Sequence, residues 1–412
     1  MEVLYTRCCG LDVHKKTVVA CVLCTQEDGT VERHVRTFGT MTADLCALSD
    51  WLTAYAVTHV AMESTGVYWQ PVFNILEEED RTILLVNAQH IKQVPGHKTD
   101  VRDSEWLADL LRHGLLRASF IPPAPIRELR ELTRYRKTLV QERSAEINRV
   151  QKVLESANLK VAAVASDVLG ASGRDMLAAL LAGERDPEML ANLARGKLRA
   201  KLPALRRALV GRVKPHHLVL LDCLLTHIES LEQLIAKVQE EIAHALAPFA
   251  EALTLLDGIP GVGPTAAAAM VAEIGVEASR FPSHKHLTSW AGVCPGNKQS
   301  GGKRLDGKTT KGSPWLRAVL GEVAQAIARS PGTYLHAQYH RIARRRGKHK
   351  ALTAVAHSVL VIAYHILKDK RPYSELGADY FDKLDTTRIE RHHVHRLEQL
   401  GYTVTLTPKE AA

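Results

Sequence analysis

Over the first part of the chain the apolar positions come in short β-branched runs separated by longer stretches with helical spacing. Residues 7–38 read as three strands, with turns at 14–16 and 26–29; the second turn carries the turn-forming pair Asp28-Gly29. Residues 42–56 have helical periodicity, 59–64 read as a strand, 67–79 as a helix, 82–87 as a strand and 103–115 as a helix. A meander of three strands followed by this alternation predicts an α/β domain built on a mixed sheet.

After Pro122-Pro123-Ala124-Pro125 the pattern changes. Ile126, Thr133, Val140, Ile147, Leu154 and Val161 recur every seven residues, and Leu221, Leu224, Ile228, Leu231, Ile235, Val238, Ile242 and Ala245 alternate three and four apart. Such seams predict a coiled coil, equally compatible with a helical hairpin within one chain and a pairing between two. Arg136 and Arg143 interrupt the first seam, so that edge pairs imperfectly or turns towards phosphates. The basic segment 165–215 is broken by glycines and prolines and reads as short helices, either solvated or in contact with nucleic acid.

In residues 253–275, LTLLDGIPGVGPTAAAAMVAEIG, Gly258, Gly261 and Gly263 permit a tight turn between two helices, and Pro264 suits the first turn of the second. The stretch looks like a helix-hairpin-helix, whose backbone N–H groups hold phosphate without reading sequence; a plain helix–helix connection fits it too. Residues 315–329 and 351–367 read as helices joined by a basic link, HRIARRRGKHK, in which Arg344, Arg345 and Arg346 suit backbone contact. The domains expected are 1–122, 123–250, 251–371 and a peripheral tail, 372–412.

Composition narrows the partners. The 412 residues carry 54 Lys+Arg against 45 Asp+Glu, a formal charge of +9, which favours polyanions, nucleic acid above all. No signal peptide and no run of about 20 apolar residues is read, so a cytosolic protein is expected. Seven scattered cysteines make no disulfide framework. The Cys21/Cys24 pair lies in a strand-like run, where an odd separation places the thiols on opposite faces.

The candidate chemistry lies in four acids. Asp100 and Asp103, three apart at a helix start, share a face. Asp12 sits between Leu11 and Val13 in the first strand, where a charge buried without a partner is costly. Glu63 ends the fourth strand. If those strands are neighbours, the acids meet at one sheet edge with the helix closing over them. Crowded carboxylates repel one another unless cations neutralise them, and hard oxygen donors suit Mg²⁺ or Mn²⁺. Two such ions would clamp a phosphodiester. Asp100 and Asp103 also fit a helix cap, and Glu63 a solvated strand end.

A second candidate is Ser300, in a glycine-rich loop with Lys298, Lys303, Arg304 and Lys311. Such cations lower the cost of a serine alkoxide and of phosphorane charge. A serine in a basic loop is more often inert.

The sequences GLDVHKKTVVACV, AMESTGVYW and VNAQHIKQVPGHKTDVRDSEWLADLL resemble the amino-terminal domain of DEDD transposases of bacterial insertion sequences, family one-ten. That domain is similar to Holliday-junction resolvases of the RNase H-like superfamily (RuvC-like). Residues 253–330 resemble the carboxy-terminal domain of the same transposases, whose nucleophilic serine precedes a glycine. The resemblance implies that Asp12, Glu63, Asp100 and Asp103 ligate magnesium or manganese, and that Ser300, with Ser313 as fallback, is the nucleophile. It further implies double-stranded DNA as partner, a structured guide RNA, and a homo-oligomer, dimer or tetramer, whose two sites come from different subunits. The protein would act in the cytoplasm, on the nucleoid. The alternative is a hydrolytic, structure-specific endonuclease that leaves Ser300 dispensable.

Overall fold

The computed structural model describes residues 2–64, 66–79, 81–87, 100–296, 298–306, 308–384 and 386–407, without the side chains of 298, 299, 304–306, 388 and 389. The chain divides into two compact units, 1–121 and 122–412.

In the first unit β1 (Arg7–Val13), β2 (Thr17–Thr25) and β3 (Val31–Gly39) form the meander. They are followed by α1 (Thr42–Ala54), β4 (His59–Glu63), α2 (Trp69–Leu76), β5 (Thr82–Val86) and α3 (Asp100–Arg112). The sheet order is β3-β2-β1-β4-β5. The meander pairs are antiparallel, and β1–β4 and β4–β5 are parallel. β2 is apolar from Val18 to Cys24 without alternation because both of its faces are covered. β3 is the exposed edge, and its Glu32, Arg33 and Arg36 discourage pairing with another sheet.

Strand alternation sorts the core into two layers. Cys9, Leu11 and Val13 pack with Leu45, Leu48, Leu52, Val72 and Phe73 of α1 and α2. Cys8, Cys21 and Ala61 pack with Ala108 and Leu111 of α3 on the other side. Cys21 and Cys24 accordingly lie on opposite faces of the sheet.

The second unit is helical. α4 (Ala124–Ser156) packs along α5 (Pro215–Leu246), so within one chain the two long helices form a hairpin. The seam on α5 holds at Leu221, Ile228, Leu231 and Ile242, which are buried. On α4 the expected register is only partly kept: Leu139, Val150 and Leu154 are buried, Val140 is exposed, and Val161 lies beyond the helix end. The reason is Arg143, which reaches Glu232 of α5 at 2.6 Å alongside Arg174 at 2.6 Å. It therefore faces a carboxylate rather than an open phosphate-binding edge. Short helices, among them Ala171–Leu181, Pro187–Asn192 and Leu202–Ala208, pack an apolar cluster against the hairpin.

Further on come α6 (Ala250–Asp257), α7 (Pro264–Ile274), α8 (His284–Trp290) and the hairpin of β6 (Lys298–Ser300) and β7 (Lys303–Asp306). They are followed by α9 (Pro314–Ile327), α10 (Tyr334–Arg346) and α11 (Lys348–Asp369). The expected basic link is thus mostly a helix. Thr333 caps α10 by accepting the N–H of His336, Leu335 and Tyr339 bury one face, and Arg344–Arg346 lie at the carbonyl end, where cations are favoured. α11 is long and apolar enough to cross a membrane, but half of its apolar stretch is buried within the protein, as in a core helix. Residues 372–407 include the helices Tyr380–Leu384 and Thr386–Gln399.

Candidate active site

Asp12 is the deepest of the acids, 9% exposed near the end of β1. Leu11 pairs with Met62 of β4, and continuing that parallel register sets Asp12 level with Glu63, the last residue of β4. Asp12 follows Cys8 and Gly10 in alternation, and Glu63 follows Ala61, so both stand on the face that α3 covers. Glu63 is half-buried there.

Gly10 lets the helix come close. A Cβ at Gly10 would lie 2.2 Å from the carbonyl oxygen of Ser104 and 2.5 Å from the nitrogen of Ala108. The backbone of α3 therefore rests directly on β1, an approach only glycine permits. That contact brings Asp100 and Asp103, in the first turn of α3, towards Asp12. The turn's exposed N–H groups and dipole favour negative charge at the same place.

His14 completes the cluster and is missed by sequence reading, which assigns it only to a turn. Its Nε2 lies 3.2 Å from Oδ2 of Asp12 and 3.4 Å from Oδ2 of Asp100. The available signal is the Asp-x-His spacing, which puts both side chains on one side of an extended chain. Burial raises the Asp12 carboxyl above its ordinary value; the negative charges of Asp100 and Asp103 add to the rise, and His14 opposes it. Desolvated, mutually repelling oxygen donors of this kind suit a hard divalent cation, and Asp12, His14 and Asp100 lie close enough together to share one. The residues present thus fit a divalent metal site.

In the second unit Ser300 ends β6 and is exposed. Gly301 and Gly302 have φ of 55° and 75°, the two left-handed positions of a tight two-residue hairpin turn, and Ser300 pairs with Lys303 across it. The loop around the serine is therefore an ordered hairpin tip. Lys303 and Lys311 are exposed nearby in sequence. The side chains of Lys298 and Arg304 lie outside the described residues, as do residues 88–99 ahead of α3.

Ser313 has a different task. Its hydroxyl oxygen accepts the N–H of Leu316 at 3.3 Å, capping α9, and its O–H donates to Oε2 of Glu273 at 3.0 Å. Glu273, 2% exposed at the end of α7, also receives two bonds from Arg134 of α4, at 2.7 and 2.9 Å. Arg130 donates to the carbonyls of Ala272 and Glu273 beside it, and burial pushes its guanidinium down to about 10.

The glycines between α6 and α7 are not equivalent. Gly261 has φ of 81° and packs so closely on α9 that a Cβ would lie 2.6 Å from Ile327. Gly263 precedes Pro264 at the helix start with open space around it, and Gly258 has an ordinary backbone. The turn thus rests on Gly261 alone. Arg344, Arg345 and Arg346 are exposed.

A transposase model of the DEDD, IS110 type matches residues 9–159, and a model of the transposase IS116/IS110/IS902 family matches residues 253–340. The four acids fall in the first segment and Ser300 in the second. The transposase for insertion sequence element IS1111A of Coxiella burnetii is 25% identical over 298 residues, 70% of this chain and 72% of that protein. A protein named as the mini-circle transposase for IS117 of Streptomyces coelicolor is 31% identical over 130 residues, 30% of each chain.

Proposed function

Since this chain belongs to the IS110-type DEDD transposases and is an enzyme of DNA transposition, we propose that it cuts and rejoins insertion-sequence DNA through Ser300 and a metal site of Asp12, Glu63, Asp100 and Asp103. The observation that carries this reading is the seating of α3 on Gly10, which gathers acids distant in sequence around the buried Asp12.

Mg²⁺ or Mn²⁺ held by these carboxylates would supply Lewis-acid polarisation of a phosphodiester. The residues' own work is to keep the donor oxygens together. Asp12 is fixed by its strand, Glu63 stands level with it, and Asp100 and Asp103 come from the helix start. His14 holds Asp12 and Asp100 in one orientation.

Ser300 attacks phosphorus. The Oγ–P bond forms as the bond from phosphorus to one sugar oxygen breaks, that oxygen takes a proton and leaves as a strand-end hydroxyl, and the serine proton passes to solvent. Lysines beside the hairpin tip stabilise charge on the transferring phosphoryl group. Rejoining reverses the step with a new strand end, so no phosphodiester energy is lost. The N–H groups at the start of α7, acting as a helix-hairpin-helix, and Arg344–Arg346 grip double-stranded DNA through its backbone. A structured guide RNA selects the DNA, the acids and the serine of one active assembly come from different subunits of a homo-oligomer, and the reaction takes place in the cytoplasm on the nucleoid.

The test is a denaturing gel of the full-length protein reacted with a labelled element end, the element's structured RNA and Mg²⁺. A covalent protein–DNA band is expected for the wild type and for none of Ser300→Ala, Asp12→Asn and Asp103→Ala. Cleavage by Ser300→Ala at the wild-type rate would mean a hydrolytic enzyme instead.

A further inference from the structure

The second unit contains a cavity of about 520 Å³ that the transposition chemistry does not use. The size is within the roughly 300–1,000 Å³ of sites that enclose one small ligand. One wall is a stripe of α11 in which His357, Val361, His365 and Asp369 follow one another a turn apart. His284 of α8 faces this stripe, its ring centroid 5.3 Å from that of His365.

The outer wall is a strap. Lys370 has a left-handed backbone, φ 49°, which turns the chain back over α11. Glu375 pins the strap by accepting the N–H groups of Tyr334 and Gly377, each at 2.8 Å, and the hydroxyl of Tyr373 at 3.2 Å. Tyr334, Tyr373 and Arg371 are thereby set around the cavity. Its lining combines flat aromatic rings, an apolar patch at Val361 and, among the described residues, one carboxylate, the half-exposed Asp369 at the rim, 3.9 Å from His365. Arg371, exposed, stands at its rim.

We propose that this cavity takes one unstacked nucleobase of a single-stranded segment, choosing bases that carry an exocyclic amino group. The proposal rests on the reading of this chain as a nucleic-acid enzyme, and it concerns a wall lying mostly beyond the segment 253–340 that the family model matches.

The chemistry selects a base over other occupants. Tyrosine and imidazole rings offer stacking faces, which bind every base without reading sequence. The carboxylate at the cavity rim disfavours a phosphate or an acidic group beside it, yet accepts a hydrogen bond from an amino group on adenine, cytosine or guanine, which thymine lacks. Arg371 stands at the rim, where the backbone phosphate of an extruded nucleotide would lie. A purely aliphatic occupant would offer the imidazoles and the carboxylate no hydrogen bond in place of water. Burial, with the nearby His284, lowers the His357 pKa, so its ring is available as a neutral donor and acceptor.

The experiment uses the full-length protein and a short single-stranded oligodeoxynucleotide carrying one 2-aminopurine. A saturable fluorescence change is expected, with AMP, CMP or GMP competing about tenfold better than thymidine monophosphate. Tyr373→Ala, on the exposed strap, and Val361→Trp, which fills the cavity, should abolish the change while gel-shift affinity for duplex DNA stays within about twofold of the wild type. Asp369→Asn should retain the signal and lose the base preference. An unaltered signal in Tyr373→Ala would overturn the proposal, as would wild-type protein that binds duplex but in which no mononucleotide competes. Wild-type protein that binds neither duplex nor single strand would overturn the nucleic-acid reading itself. Should Val361→Trp fail to fold by circular dichroism, Tyr373→Ala still decides.

Discussion

Asp12 ties stability to chemistry. Burial holds its folded-state carboxyl above the ordinary carboxylate value, so the folded chain binds that proton more tightly than the unfolded one. The resulting stabilisation is fully present below the unfolded value and is lost as pH rises through the raised one, leaving a destabilising charge at neutral pH. In EDTA at pH 7.5, Asp12→Asn should therefore melt at a higher temperature than the wild type. Added Mg²⁺ should raise the wild-type midpoint and leave the variant's nearly unmoved. A wild-type midpoint indifferent to Mg²⁺ would remove the metal from the argument. Gly10 acts by what it lacks. Gly10→Ala forces a Cβ into the α3 backbone, and overpacking of this kind costs about 1–3 kcal/mol. Urea unfolding should register that loss together with weakened Mg²⁺ binding, because Asp100 and Asp103 move with the helix.

Among the elements, the long hairpin and the anchor of α7 carry the clearest consequences. Ile228 is fully buried between α5 and its neighbours, and Ile228→Ala should cost about 2–5 kcal/mol in urea unfolding. Glu273→Gln leaves Arg134 without its charge partner and weakens the bond from Ser313. Arg134 is about a third exposed and keeps some water, so the loss should be about 1–3 kcal/mol, and exchanging both Arg134 and Glu273 for apolar residues of similar volume should recover most of it. A double variant as unstable as the single one would contradict that account. The seam on α4 was legible only in part, because heptad counting takes no notice of a charge that finds a partner across the interface, as Arg143 does with Glu232. In sequence the basic helix α10 reads as a link for a related reason. Its arginines mask a short apolar face, Leu335 and Tyr339, and the cap at Thr333 is visible only once the helix is there.

For the molecule as a whole the net charge of +9 matters through phosphate contacts. Binding to DNA should weaken as salt rises, with a logarithmic slope of about 0.9 per phosphate neutralised. Replacing Arg344, Arg345 and Arg346 by Gln should flatten that slope by as many as three such contacts and lower affinity evenly across sequences, measured by anisotropy titration at several salt concentrations. An unchanged slope would place the DNA elsewhere on the surface.

The order of strands and helices in the first unit, the pairing of acids on one helical face and the family membership were all determined by the chain's local pattern, because alternation, helical periodicity and motif spacing are properties of near neighbours in sequence. Tertiary structure decided the rest. Only the crossing of β1 by α3 makes Gly10 a requirement and His14 a member of the acid cluster. Only the packing of α7 against α4 and α9 brings Glu273 to the hydroxyl of Ser313. These depend on which backbones touch, and contacts between residues far apart in the chain leave no periodic trace in it.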